Sequence, residues 1–187
     1  DTVADYLPFV DPYCASACGS GRRLIYFRFG DHAPLVVDDD AAETHQFDPR
    51  MGFEAFITHV HQVIQRSERE AWYVFDCLSD LAKAWRSDSM LGNFFVLTCP
   101  YLYDVGAIAY FGLLRRTHEA ETVERIKSTA QVFLDAYRHR GEVYVHPVKV
   151  QQRHSPTMYM LHVWRGENFL PVADSATTAE VVSTALW

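Results

Sequence analysis

The stretch Trp72 to Leu81, W-Y-V-F-D-C-L-S-D-L, constrains this chain more than any other. Four apolar residues, three of them aromatic, run directly into Asp76, and a small polar turn then leads into a helical segment. That pattern fits a strand buried on both faces of a parallel sheet. Such a strand delivers one carboxylate to the carboxyl edge of the sheet, where open α/β folds bind ligands.

A length of 187 residues suits one domain, or one domain with a small extension. With 49% apolar and 14% aromatic residues, a substantial core can form without covalent staples. The net charge of −7 comes with no dominant basic face, which argues against duplex nucleic acid as a partner. No apolar run is long enough to span a membrane and no signal-peptide pattern is present, so a cytoplasmic location is expected. Cys14 and Cys18 stand four apart on one helix face, without a second Cys or His pair at zinc-site spacing. All four cysteines are expected as reduced thiols, with Cys77 and Cys99 in apolar surroundings.

Hydrophobic periodicity predicts a helix over 3–17, broken or kinked by Pro8 and Pro12, and a strand over 23–29. The run Asp38 to Asp40 reads as a solvated acidic loop. A helix over 52–66 carries Phe53, Phe56, Ile57, Val60 and Ile64 on one face. The strand over 71–76 comes next, then a short helix over 80–85. Residues 93–105 read as a helix interrupted near Pro100, 107–114 as a buried strand, and 120–129 as a polar helix. Strand-like runs over 131–137, 143–150 and 157–164 follow, separated by turn residues, with a terminal helix over 177–187. Strands and helices alternate and then strands cluster. This predicts an α/β, doubly wound, mostly parallel sheet carrying antiparallel C-terminal strands.

Three segments resemble the RecA/KaiC-like ATPase core. They are L-I-Y-F-R-F-G-D-H at 24–32, Y-V-F-D-C-L-S at 73–79, and V-K-V-Q-Q-R-H-S-P-T-M-Y-M-L-H-V at 148–163. The first looks like the second strand of that family with its loop, the second like the Walker B strand, and the third like a late hairpin. More narrowly, F-R-F-G-D-H-A-P-L, Y-V-F-D-C-L-S-D-L, N-F-F-V-L-T-C-P-Y-L-Y and H-S-P-T-M-Y resemble the RecA-like domain attached to some phosphoenolpyruvate synthase or pyruvate phosphate dikinase-type proteins. The chain holds no recognisable phosphohistidine domain or barrel of those enzymes.

The resemblance implies ATP and Mg²⁺ as cofactors, with Asp76 at the metal. It implies Ser79 near a γ-phosphate, and Lys149 and Arg153 reaching the nucleotide of a neighbouring copy in a ring. Two cations on one hairpin suit phosphate oxygens. The water-activating glutamate of the family is not matched. Gly30-Asp31-His32 stand in its place, so Asp31 is the candidate base, with a side chain shorter by one methylene. No G-x-x-x-x-G-K-[ST] occurs anywhere, so the domain is expected to lack the first strand and the P-loop. Each candidate also has an ordinary structural role open to it. Asp76 and Ser79 suit helix caps or turns, and Lys149 and Arg153 suit solvated strand positions. His118 follows Arg115 and Arg116 at an expected sheet edge, but a nucleophilic histidine needs a positioned partner, and the sequence identifies none.

These residues lead to three expectations. The first is a RecA/KaiC-like regulatory or assembly module over 1–187, with weak or absent nucleotide binding. Its partners would be copies of itself and phosphoenolpyruvate synthase-type modules. The second is a truncated Mg-ATP-dependent ATPase domain. The third is an α/β module that binds a small molecule other than a nucleotide.

Overall fold

The structure, a computed structural model, describes residues 2–37, 42–166 and 168–186. The acidic run Asp38 to Asp40 lies outside the described residues. The chain forms an α/β fold with two compact units, Asp1–Thr129 and Ala130–Trp187.

The first unit contains α1 (Val3–Gly19), β1 (Leu24–Arg28), β2 (Glu43–Gln46), α2 (Phe53–Arg66), β3 (Trp72–Cys77), α3 (Leu78–Trp85), α4 (Asp88–Asp104), β4 (Ile108–Gly112) and α5 (Ala120–Thr129). Its four strands are all parallel, in the order β2-β1-β3-β4. The two central strands are the most buried, as a sheet covered on both faces requires. Side chains alternate between faces. On one face Leu24, Tyr26 and Val74 pack with Tyr6, Val10 and Ala17 of α1. On the other, Phe27, Phe75 and Phe111 lie level across three strands, with centroids 4.8 and 4.3 Å apart. This aromatic row packs against Phe94 and Phe95 of α4, and Phe56 of α2 joins the same layer.

Two local features fix how the helices sit. Tyr13 of α1 donates its hydroxyl to the carbonyls of Tyr73 and Ile108, at 3.1 and 2.8 Å, and so ties α1 to the starts of β3 and β4. The amphipathic α2 buries Phe56, Ile57, Val60 and Ile64, the face its spacing predicts. Pro8 and Pro12 lie within α1, and α4 runs through Pro100 without the expected interruption. Loss of one N–H donor there is outweighed by burial of Leu91, Phe94, Phe95 and Leu102 along the same helix.

The second unit is an antiparallel meander of β5 (Val132–His139), β6 (Glu142–Val150), β7 (His162–Arg165) and β8 (Asn168–Pro171), followed by α6 (Ser175–Leu186). The antiparallel strands were expected as an addition to the parallel sheet. Among the described residues they form a sheet of their own. The third predicted strand is shorter than expected, because 156–159 form turns and pairing starts at His162. Val181 of α6 packs with Tyr137, Tyr144, Leu161 and Val163. Among the described residues, no helix is long and apolar enough to cross a membrane.

Candidate functional site at the carboxyl edge of the parallel sheet

Asp76 lies at the carboxyl end of β3, where the register against β4 shifts between Phe75 and Cys77. A bulge of this kind re-aims one side chain out of the regular alternation. The Asp76 carboxylate is fully buried. Its Oδ2 accepts hydrogen bonds from Arg28 Nη1 at 2.8 Å, from the Phe29 N–H at 2.8 Å and from the Gly30 N–H at 2.7 Å. Its Oδ1 accepts the Tyr26 hydroxyl. Burial first, then the bond to Asp76, push the Tyr26 pKa upward, so the phenol remains a donor across the physiological range. The same phenol oxygen accepts the Leu35 N–H at 3.0 Å. Arg28 also donates to the His32 carbonyl. One buried carboxylate therefore gathers β1 and the turn after it, from Tyr26 to Leu35.

Three more residues close this turn. His32 Nδ1 lies 2.6 Å from the Ala33 carbonyl, which assigns the proton to Nδ1 when the ring is neutral. His32 Nε2 is buried without a hydrogen bond, 3.8 Å from Asp76 Oδ1 and 3.6 Å from Asp80 Oδ2. Gly30 fits between them because it has no side chain. A Cβ there would meet Asp80 Oδ2 at 2.6 Å and the His32 ring at 2.7 Å. Asp80 in turn pairs with Lys83 at 2.8 Å.

The candidate residues fall in different surroundings. Asp31, Asp76 and Ser79 lie in the first unit, and Lys149 and Arg153 in the second. Asp31 is exposed beside the enclosed Asp76 cluster. Lys149 is half-buried near the end of β6, across from Phe133, and Arg153 is exposed in the turn region after it. An Mg²⁺ bound directly at Asp76 Oδ2 would have to displace the Arg28 guanidinium and two backbone donors. Among the described residues, no group of three or more His, Cys, Asp or Glu side chains is arranged to hold a metal ion.

Ser79 is buried and stands at the start of α3. Its Oγ lies 2.7 Å from His118 Nε2 and accepts the Leu114 N–H at 2.9 Å. His118 Nδ1 lies 2.9 Å from Asp88 Oδ1, and Asp88 Oδ2 accepts the Glu119 N–H at 2.6 Å. Asp88 is the partner of His118 that the sequence did not reveal. Burial would raise the Asp88 pKa, but the hydrogen bonds from His118 and from the Glu119 N–H hold it below the ordinary carboxylate value. Ser79, Asp88 and His118 face a cavity of about 710 Å³ whose wall also carries Lys83, Arg86, Arg116 and Glu119.

No protein-family model matches the chain, and no curated protein matches it.

Proposed function

We propose that the chain is a RecA/KaiC-like regulatory or assembly module with weak or absent nucleotide binding, working alongside a phosphoenolpyruvate synthase-type phosphotransferase. The observation that carries this reading is the engagement of Asp76 by Tyr26, Arg28 and the Phe29 and Gly30 amides. The carboxylate stands at the strand end where such a core would hold its Mg²⁺, yet an arginine is paired with it. In this reading Asp76 is a latch for the turn after β1, not a catalytic group. Regulation then acts through surfaces, by contact with copies of the chain and with phosphotransferase modules.

The test is thermal unfolding of the protein with and without millimolar Mg·ATP. A ligand at a hundred times its Kd stabilises a protein by about 2.7 kcal/mol, a shift of a few degrees. We expect no shift beyond that given by Mg²⁺ alone. A clear ATP-specific shift, abolished in Asp76→Asn, would establish the Mg-ATP-dependent reading instead. Sedimentation velocity tests assembly, and a strict monomer at all concentrations removes the part played by copies of the chain.

A further inference from the structure

We propose that Ser79, His118 and Asp88 form a second site, in which Ser79 is a base-activated nucleophile for small esters. The proposal is independent of the regulatory reading and uses none of the residues around Asp76.

Three observations support it together. The first is connectivity. Asp88 takes the proton-bearing Nδ1 of His118 at 2.9 Å, which leaves Nε2 as the acceptor facing Ser79 Oγ at 2.7 Å. A hydroxyl is a weak nucleophile until an oriented base stands within hydrogen-bond reach, and the third group fixes the tautomer of that base. The second is position. Ser79 occupies the first turn of α3 just after β3, and the Leu114 N–H donates to its Oγ at 2.9 Å, which holds the oxygen beside His118. The third is space. All three residues line one cavity of about 710 Å³, large enough for a small organic molecule.

The reaction is a closed acyl transfer. Ser79 Oγ bonds to the ester carbonyl carbon while its proton moves to His118 Nε2. The bond from that carbon to the alcohol oxygen breaks, and the alcohol leaves with the proton from His118. Water then attacks the acyl group and gives a proton to Nε2. The bond to Oγ breaks and Ser79 recovers its proton. One ester and one water become one carboxylic acid and one alcohol, with no oxidant or reductant.

The experiment is covalent labelling of the whole chain with a fluorophosphonate, in which Ser79 Oγ bonds to phosphorus and fluoride leaves. Peptide mass mapping should place the label on Ser79. His118→Gln should slow labelling about a hundredfold, the usual contribution of a general base. In the wild-type protein the labelling rate should rise with pH through one imidazole ionisation, a readout that needs no variant to fold. Turnover of 4-nitrophenyl butyrate should be lost in Ser79→Ala. No label on Ser79, or a rate indifferent to both His118→Gln and pH, overturns the nucleophile. Turnover of the ester unchanged in Ser79→Ala overturns the substrate class.

Discussion

Arg28 Nη1 donates to Asp76 Oδ2 at 2.8 Å, joining the ends of two adjacent parallel strands beneath the surface. The carboxylate is fully buried and the Arg28 side chain is half-buried. Removing one member of such a pair leaves an uncompensated charge in a poorly solvated place, which costs about 3–5 kcal/mol. Arg28→Met is therefore expected to lose stability on that scale, measured by urea unfolding. Tyr26→Phe removes a neutral donor from Oδ1 and should cost less, about 1–3 kcal/mol. A loss below 1 kcal/mol for Arg28→Met would show that Asp76 is not a latch.

The absence of a side chain at residue 30 is a requirement of the same cluster. An alanine Cβ would lie 2.6 Å from Asp80 Oδ2 and 2.7 Å from the His32 ring, so both must move. Gly30→Ala should cost about 1–3 kcal/mol, as overpacking does. It should also change the His32 imidazole signals in an NMR spectrum. Unchanged His32 signals would mean that the ring is not held in the described position.

His61 gives the fold a pH response. Burial lowers its pKa from the ordinary 6.5, and its Nε2 lies 3.2 Å from Thr98 Oγ1 beside the Tyr101 ring. The folded state thus favours the neutral ring, and below pH 6.5 the unfolded state binds more protons. The His61 contribution is complete above 6.5 and is lost as the pH falls through the lower folded value. Urea midpoints measured from pH 7.5 to 5 should fall, and His61→Gln should flatten that slope. An identical slope in the variant would remove His61 from the account.

The two cysteines of α1 should differ in reactivity. Burial, with Asp11 and Cys18 nearby, pushes the Cys14 thiol from 9.0 up to about 11, while Cys18 is exposed. At pH 8 this leaves Cys14 with about a hundredfold less thiolate than an unshifted thiol. Timed alkylation with iodoacetamide should modify the exposed Cys18 first and Cys14 much more slowly. Equal rates would show that α1 does not pack as described.

Much of the first unit was legible because its signals are local. The aromatic run of β3 and the spacing of α2 report burial one residue at a time. β2 was not legible, since Glu43-Thr44-His45-Gln46 is a polar, mostly exposed edge that, among the described residues, pairs only with β1. β8 escaped for a similar reason, as all four of its residues are exposed. α4 begins earlier than the apolar pattern suggests because Ser87 caps it, accepting the Met90 N–H at 3.2 Å. Asp76 was found at its strand end, but its partnership with Arg28 depends on strand pairing 48 residues apart. Ser79 and His118 are 39 residues apart, and His118 and Asp88 are 30 apart, so only the folded chain brings the three together.

The level row of Phe27, Phe75 and Phe111 has a consequence for how β1 finds its place. Sliding β1 by one residue against β3 would turn Tyr26 and Arg28 toward the layer of Phe56 and Phe94. It would put a guanidinium among rings and leave the buried carboxylate of Asp76 without its cation, so a single misalignment is penalised on both faces at once. The sheet thereby proofreads its own assembly, with three aligned rings and one ion pair rejecting the neighbouring alignments.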